Sequence, residues 1–292
     1  METSSFGNIL IADAGSTKID WCIISSTGEV ICNITTPGIN IAIASEQEIH
    51  DCFLTARETL NQESKPAAIF YYGAGCASPN LCKEVADALS TVWGATHVEA
   101  ASDMLGACRA LLKDSPGVAC ILGTGSNSAL YDGNAIIANT PPLGYILGDE
   151  GGGAALGKRL VSDIFKGLTP TDITSNFLTE TGLTKEDVIR KVYREPAANR
   201  FLASLAPFIA HHISEEYLRN LVRQEFSRFI RRNLLQYPDI ENLPISFIGS
   251  IAIHFKDILL EVIADMNLSA GKIIKSPMEG LIEFHKYQES NN

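Results

Sequence analysis

The feature that most constrains the fold of this 292-residue chain is a pattern of strand, small-residue loop and strand that occurs once in each half. In the second half, the apolar run Val118 to Leu122 ends abruptly at the loop Gly123 to Asn127, as a buried strand would. In the first half, Ile9 to Ala12 leads into Asp13 to Lys18. Each loop is followed by a strand, a turn and another strand. The repeat predicts a duplicated α/β domain whose two hairpins face each other across a cleft.

The composition of the two loops favours ligand binding over a core role. Glycine lets the backbone turn tightly and lie close to a ligand, and the small hydroxyl and amide side chains can hydrogen-bond that ligand. About twenty residues after the second loop comes another glycine-rich turn, which begins with Asp149 and Glu150. Polar groups and bare backbone between apolar segments suit a site that holds a polyol or a phosphate.

The charge of the chain excludes some partners. A net charge of -11 and a pI near 5.0 argue against nucleic acid or an anionic membrane as the main partner. An anionic substrate would need local amides, a few basic side chains or a metal ion. The seven cysteines form no C-x-x-C pair, which indicates reduced thiols and a cytoplasmic protein. No signal peptide and no membrane-spanning run are expected.

The helices and turns divide the chain into three parts. Asp114 to Gly117 is the clearest boundary, because it breaks a helix before the second hairpin. We therefore expect a first domain over residues 1–114, a second over 115–275 with a helical insertion, and a C-terminal helix over 276–292 that returns to the first. One or two long helices are expected between Arg200 and Tyr237, and they provide a face for a homodimer.

Two carboxylates stand where a strand ends. Asp13 can hold Mg²⁺, or it can cap the backbone amides of a turn. Asp103 follows a short strand and opens a helix, so it can cap that helix or act as a general base. Because Ser102 can supply the cap, Asp103 can remain available to a substrate hydroxyl. The local sequence leaves both alternatives open.

Several other segments also permit two interpretations. Lys18 can reach a phosphate or be solvated, and Asn40 can orient a sugar hydroxyl or close a turn. The glycines at 151–153 can present a helix start to an anion or act as a hinge. Gly249 lets a flat group such as adenine approach the backbone, although any strand-to-helix turn can contain a glycine.

Two further clusters are expected to be structural. His211 and His212 are adjacent and point to different helix faces, which argues against a metal site. The group of Arg228, Arg231 and Arg232 is most simply a solvated helix face.

Taken together, the motifs resemble the N-acetylglucosamine kinase branch of the sugar kinase, Hsp70 and actin superfamily, also described as BadF/BadG/BcrA/BcrD ATPase-like. The resemblance covers nearly the whole chain. It implies two duplicated actin-like (RNase H-like) domains, with mixed sheets flanked by helices and the active site in the cleft. Five motifs carry it, in the expected order: Asp13 to Lys18, Ser102 to Ala107, Gly123 to Asn127, Gly144 to Gly153, and Phe247 to Ile251.

The resemblance also implies a mechanism. ATP with Mg²⁺ would lie between the hairpins, Asp13 would hold the metal, and Asp103 would act as base toward the 6-hydroxyl of an amino sugar. Domain closure would exclude water from the in-line transfer. The implied ATP-binding residues are Gly15, Ser16, Thr17, Lys18, Thr124, Gly249 and Ser250. The implied sugar-binding residues are Asn40, Gly125, Ser126, Asn127 and Asp149.

Departures from the family pattern affect the sugar preference. Ala14 stands where many relatives have glycine, and the glycines at 151–153 replace the commoner Gly-Ser. The sugar can be N-acetylglucosamine or glucosamine. Two other functions stay open: an activator ATPase whose iron–sulfur cluster would use Cys108 and Cys120, and a nucleotide- or sugar-binding sensor or assembly protein without catalysis. The presence of both Asp13 and Asp103 argues against the sensor, because a binding protein needs no base.

Overall fold

The computed structural model describes residues 7–15, 17–60, 65–76 and 78–291, with side chains described as far as residue 286. The chain forms two compact units. The first comprises Met1–Ser115, Gly133–Ala135 and Ser276–Asn292, and the second comprises Pro116–Asp132 and Ile136–Lys275. Within the described residues, no helix has both the length and the apolar character that crossing a membrane would require.

The first unit is built on a five-stranded mixed sheet in the order β3-β2-β1-β4-β5. The first three strands pair antiparallel, and β4 and β5 add parallel to β1. The elements are β1 (Ile9–Ala14), β2 (Lys18–Ile24), β3 (Val30–Pro37), α1 (Glu46–Leu60), β4 (Ala68–Gly73), α2 (Pro79–Trp93), β5 (His97–Ser102) and α3 (Asp103–Leu112).

The second unit repeats this plan, with strand order β10-β9-β6-β7-β8. The strands are β6 (Gly117–Leu122), β7 (Ser126–Tyr131), β8 (Ile136–Asn139), β9 (Pro244–Ile248) and β10 (Ser269–Ile274). The helices are α4 (Gly144–Leu147), α5 (Gly153–Phe165), α6 (Thr171–Thr181), α7 (Lys185–Tyr193), α8 (Ala198–Ala203), α9 (Ala206–His211), α10 (Glu216–Asn233), α11 (Ser250–His254) and α12 (Lys256–Asp265), with 3₁₀ turns at Leu234–Gln236 and Ile240–Asn242. Three antiparallel and two parallel strands in each unit confirm the predicted duplicated α/β fold.

The helical region of the second unit differs from the expectation. In place of one or two long helices, three helices, α8 to α10, occupy the stretch between Arg200 and Tyr237. Pro207 lies in the first turn of α9, because proline fits that turn of a helix but not its interior. The helical segment that follows β9 is divided at Phe255 into α11 and α12.

Each unit has its own apolar core. In the first, Trp21, Phe53, Tyr71 and Trp93 pack as a cluster of aromatic rings between the sheet and helices α1 and α2. These side chains are buried, which removes about 150–250 Å² of surface from water for each ring. The pattern of Ile49, Phe53, Ala56 and Leu60 on α1 is buried as its helical spacing predicts.

The C-terminal helix α13 (Met278–Asn291) belongs to the first unit and packs on α3. Its buried His285 forms a hydrogen bond of 3.0 Å with the hydroxyl of Tyr72. The same hydroxyl also accepts a hydrogen bond from Arg109 of α3. Burial and the guanidinium of Arg109 lower the pKa of His285 to about 3, so the imidazole is neutral at physiological pH. This network fixes the helix that begins at Asp103.

Candidate functional site

The first unit places its two candidate carboxylates at one edge of the sheet. The parallel strands β1, β4 and β5 end together, with Asp13 opposite Tyr72 and Gly73 opposite Ser102. Asp13 is the penultimate residue of β1 and Asp103 begins the helix after β5, and their charges interact. Ligands of open α/β sheets commonly bind at the carboxyl ends of the parallel strands.

Asp13 is held in its neutral form more readily than an ordinary aspartate. Burial, followed by the nearby carboxylates of Asp20 and Asp103, raises the pKa of Asp13 to about 7, and Lys18 opposes the shift. Because burial and neighbouring negative charges disfavour its ionised form, this carboxylate is stabilised by a bound cation. The position therefore favours a metal ligand over a turn cap.

This burial leads to a prediction about stability. Because the pKa of Asp13 is raised, the folded state holds a proton that the unfolded state releases between about pH 4 and 7, so ionisation destabilises the fold as pH rises. Asp13→Asn should therefore be about 1–3 kcal/mol more stable than wild type at pH 8, and this gap should be smaller at pH 5 and close only below about pH 4. Thermal unfolding without nucleotide at both pH values measures this. Equal stability of wild type and Asp13→Asn at pH 8 would show that burial of the Asp13 carboxylate does not destabilise the fold.

Asp103 is free of the capping role that the local sequence left open. The hydroxyl of Ser102 accepts the N–H of Leu105 at 3.2 Å and caps α3. The Asp103 carboxylate accepts the neighbouring N–H of Met104 at 2.8 Å. Burial raises the pKa of Asp103, while its bonds to backbone N–H groups act in the opposite direction. A half-buried carboxylate with a raised pKa is suited to accept a proton.

The first loop is packed against a glycine that the sequence did not single out. Gly15 donates its N–H to the carbonyl of Lys18 at 2.9 Å, and Gly38 donates to the carbonyl of Thr17 at 2.9 Å. A methyl group at Gly38 would lie 2.3 Å from the carbonyl oxygen of Gly15 and 2.5 Å from the nitrogen of Lys18. Gly38 thus sets the shape of the loop. Ser16 lies outside the described residues.

Two polar residues near this loop already have partners. Lys18 is exposed and pairs with Asp20 across a tight contact, and Thr35 donates to Asp20 at 2.7 Å. The side-chain oxygen of Asn40 accepts the N–H of Ala42 at 3.2 Å, so Asn40 closes the predicted turn. Asn40 is exposed, and its amide nitrogen is the group that can serve a ligand.

In the second unit, the loop Gly123 to Asn127 is bound to the start of α5. Gly153 donates its N–H to the carbonyl of Gly123 at 2.8 Å, and Ala154 donates to that of Thr124 at 2.9 Å. Loop carbonyls occupy these two donors, so the helix start does not offer them to an anion, which was one of the two alternatives for the glycines at 151–153. The helix start supports the loop instead.

Asp149 connects this loop to the second glycine-rich turn. It has a left-handed backbone with φ of 57°, and one of its carboxylate oxygens accepts the N–H of Ser126 at 3.2 Å. A methyl group at Gly125 would lie 2.7 Å from the other carboxylate oxygen, so only glycine permits this approach. Burial raises the pKa of Asp149, and the bond from Ser126 opposes that shift.

Next to Asp149 lies a buried ion pair that was not predicted from the sequence. Glu150 is only 4% exposed, and Nε of Arg232 donates to its carboxylate, 82 residues along the chain. Arg228 also lies within 4.0 Å of the same oxygen. Arg228 and Arg232 keep about half of each side chain exposed, as a solvated face would, but Glu150 also provides an anionic partner for them beneath α10. No periodicity in the sequence connects positions so far apart.

A cavity of about 180 Å³ opens beside these residues within the second unit. One side is polar, formed by Ser126, Asn127, Asp149 and Arg232 among others. The other side is apolar and consists of Pro141, Pro142, Leu143 and Leu147. Three of the five implied sugar-binding residues therefore line one pocket, and Gly125 lies against Asp149 at its edge.

The implied adenosine motif lies at the end of β9. Gly249 has a φ of 128°, a conformation that glycine alone adopts readily. A methyl group there would lie 2.2 Å from the carbonyl oxygen of Leu122, so Gly249 packs on the strand that enters the Gly123 loop. Ser250 is exposed at the start of α11, and Thr124 is exposed on the loop. The structure thus brings Thr124 close in the fold to Gly249.

The remaining candidates behave as structural groups. Cys108 and Cys120 are both fully buried, and burial raises the pKa of Cys108 to about 12. A thiol in that state is a poor cluster ligand, because metals bind the thiolate. His212 pairs with Glu180 at 2.7 Å, and among the described residues no group of three or more His, Cys, Asp or Glu could hold a metal.

Solved structures with similar folds place this arrangement among sugar kinases. A Porphyromonas gingivalis protein described as a candidate N-acetylglucosamine kinase has 45% sequence identity and a TM-score of 0.92, over 96% of this chain and 99% of that chain. A Chromobacterium violaceum protein described in the same way shares 19% identity with a TM-score of 0.72, over 96% and 99% of the two chains.

A third similar structure is a ROK-family glucokinase from Streptomyces griseus, solved with glucose and AMPPNP. Its TM-score is 0.55 at 11% identity, over 96% of this chain and 97% of that chain. At such identities this similarity and that to the Chromobacterium protein concern the fold alone. No family model and no curated protein matches the chain.

Proposed function

We propose that this chain, which belongs to the N-acetylglucosamine kinase-like branch of the sugar kinase, Hsp70 and actin superfamily, transfers a phosphoryl group from ATP to the 6-hydroxyl of N-acetylglucosamine. The observation that carries the proposal is the pair of carboxylates at the sheet edge of the first unit. Asp13 and Asp103 interact there, and both have raised pKa values. A protein that only bound nucleotide or sugar would have no need of a general base such as Asp103.

Asp103 is the proposed general base. Phosphoryl transfer needs a group that accepts the proton of the attacking hydroxyl, within hydrogen-bond reach of it. Because Ser102 caps α3, the Asp103 carboxylate is not required for the helix. The network of Arg109, Tyr72 and His285 holds α3 in place, so the base is carried on a rigid element.

Asp13 is the residue that would hold Mg²⁺. The fit rests on its surroundings: a carboxylate whose pKa is raised by burial, Asp20 and Asp103 is relieved by a cation. Magnesium commonly uses one or two protein carboxylates and takes its other ligands from water and phosphates, so a three-residue cluster is not needed. When bound, the ion would neutralise charge on the phosphates of ATP. Gly15, Ser16, Thr17 and Lys18, with Thr124, Gly249 and Ser250, are the proposed ATP-binding residues.

The pocket in the second unit is the proposed sugar site. Ser126, Asn127 and Asp149 offer a hydroxyl, an amide and a carboxylate, which match the donors and acceptors of a polyol. The oxygen of Asn127 accepts N–H groups of Ser128 at 2.8 Å and Asn139 at 3.0 Å. These bonds orient its amide nitrogen as the donor for the sugar. Gly125 and Asn40 complete the proposed set.

The apolar wall of the pocket favours N-acetylglucosamine over glucosamine. A sugar ring carries hydroxyls on nearly every carbon, so a wall of two prolines and two leucines can contact only its C–H faces. The methyl of an acetamido group is the one apolar substituent that such a wall can cover. An ammonium in the same place would lose hydration without a matching partner on that wall.

Leu147 offers a test of this assignment. Leu147→Ser should lower the preference for N-acetylglucosamine over glucosamine, measured as the ratio of kcat/KM values, by about 5- to 30-fold, because the methyl group loses apolar contact. Leu168→Ser is the matched control, since Leu147 and Leu168 are similarly exposed, at 68% and 62%, and Leu168 lies outside the pocket. An unchanged ratio of kcat/KM values in Leu147→Ser would show that the acetyl group does not contact this wall.

The other two functions have weaker support. A cluster-bearing activator ATPase needs accessible thiolates, whereas Cys108 and Cys120 are buried as small apolar side chains. A sensor without catalysis needs no general base such as Asp103. The iron content of the purified protein and its turnover distinguish these functions from the kinase.

A coupled assay of ADP release tests the proposal. The panel is N-acetylglucosamine, glucosamine, N-acetylmannosamine, glucose and no sugar, each with ATP and Mg²⁺. We expect the fastest release with N-acetylglucosamine. Release that is the same with and without every sugar would contradict kinase function.

A further inference from the structure

The backbone at Asp149 needs support from its surroundings. A left-handed conformation is uncommon for a residue with a side chain, although aspartate tolerates it better than most. Gly152 donates its N–H to the carbonyl of Asp149 at 3.0 Å, and Ser126 donates to its carboxylate. These bonds fix one side of the turn. The other side depends on what holds the next residue, Glu150.

Glu150 is held by the last turn of α10. Its carboxylate is buried and accepts hydrogen bonds from Nε of Arg232 and, at 3.5 Å, from the amide of Asn233. Although burial acts to raise it, the pKa of Glu150 is lowered overall by its bonds to backbone N–H and to Arg232 and Asn233. The charged form is therefore the one that the fold stabilises.

The end of α10 also supports a second part of the pocket lining, at Thr140. The carbonyl of Asn233 accepts the hydroxyl of Thr140 at 2.8 Å. The hydroxyl of Tyr237, just beyond the helix, accepts the N–H of Thr140 at 3.0 Å and bonds Ser128 at 2.8 Å. Ser128 follows Asn127 in β7. The end of α10 thus supports the turn at Asp149 through Glu150 and the segment that begins at Thr140.

We propose that Arg232 is a positioning residue for the sugar site, which fixes the direction of the Asp149 carboxylate by anchoring Glu150. This inference rests on the proposed function. Arg232 holds the buried Glu150 side chain, Glu150 holds the turn, and the turn holds Asp149 against Ser126 and Gly125. A positioning role predicts that sugar binding suffers when the pair is broken, while ATP binding does not.

The test compares Arg232→Ala with Arg231→Ala. Arg231 is the adjacent residue, carries the same charge and is exposed, and it does not line the pocket. We expect Arg232→Ala to raise the KM for N-acetylglucosamine about 5- to 30-fold and to leave the KM for ATP within about twofold, because one buried charge-assisted bond is lost. Arg231→Ala should match wild type in both. Arg232→Lys should recover part of the loss, since lysine restores the charge without the guanidinium geometry.

Glu150→Gln distinguishes positioning from direct contact. If Arg232 acts through Glu150, this variant should also raise the sugar KM, and the double variant should be no worse than the poorer single one. A normal sugar KM in Glu150→Gln beside a raised one in Arg232→Ala would overturn the inference, as would identical behaviour of Arg232→Ala and Arg231→Ala. Equal rises in both KM values with a lower Tm would also overturn it, because they would indicate general destabilisation. A wild-type protein inactive with every sugar would instead contradict the proposed function.

Discussion

Replacing Asp103 with asparagine is expected to lower kcat for N-acetylglucosamine by about 10²- to 10⁴-fold, the usual contribution of a general base. Asparagine keeps the shape of the side chain but cannot accept the proton of the sugar hydroxyl. The KM values for sugar and ATP should change little, because the lost interaction forms in the transition state. Because burial raises the pKa of Asp103, the neutral variant should be at least as stable as wild type. Steady-state kinetics and thermal unfolding together measure this.

Asp114→Asn is the matched control for this variant. Asp114 lies just beyond the other end of α3 and is exposed, so the substitution removes the same charge without touching the sheet edge. It should leave kcat near the wild-type value. If Asp103→Asn retained more than about a tenth of wild-type kcat, Asp103 would not be the base, and the carboxylate pair would lose its catalytic explanation.

Gly38→Ala is expected to produce the second large effect, a loss of kcat/KM for ATP. The added methyl would lie 2.3 Å from the carbonyl oxygen of Gly15 and 2.5 Å from the nitrogen of Lys18, both backbone atoms that cannot rotate away. The loop must move, at a stability loss of about 1–3 kcal/mol. If the loop binds phosphates, as we propose, kcat/KM for ATP should fall at least about 100-fold, because misplacing a binding group by roughly 1 Å has that effect.

Gly7→Ala is the control for Gly38→Ala. A methyl at Gly7 would make an ordinary contact of 3.5 Å with the side chain of Ala67, so neither stability nor kinetics should change much. Nucleotide affinity and thermal unfolding of both variants separate loss of the loop from loss of the fold. A Gly38→Ala protein with normal ATP kinetics would show that the Gly15 to Lys18 loop does not bind the phosphates.

The sequence predicted the parts of the molecule that depend on neighbouring residues. The hairpins around Asp13 and Gly123 follow from apolar runs that stop at glycine-rich loops, and the amphipathic spacing of α1 matches its buried face. The cap at Ser102 follows from a hydroxyl at a strand-to-helix junction, and the structure shows the bond. Such features are encoded within a few residues, which is why a single sequence reveals them.

The parts that were missed depend on packing between distant segments. Gly38 was not singled out, because nothing near it in the sequence indicates that its hydrogen atom faces the Gly15 carbonyl. Arg232 was interpreted as solvated, because its partner Glu150 lies 82 residues away. The apolar wall of the pocket comes from a segment, Pro141 to Leu147, that has no helical or strand periodicity. Only the folded chain brings these groups together.

The measurement that tests the central claim most directly is identification of the product. The protein would be incubated with ATP, Mg²⁺ and N-acetylglucosamine, and the phosphorylated sugar would be examined by proton–phosphorus NMR alongside the quantity of ADP. We predict one phosphate per ADP, coupled to the protons on C6. Phosphate on another oxygen would contradict the proposed position, and ADP formed without any sugar phosphate would contradict the kinase itself.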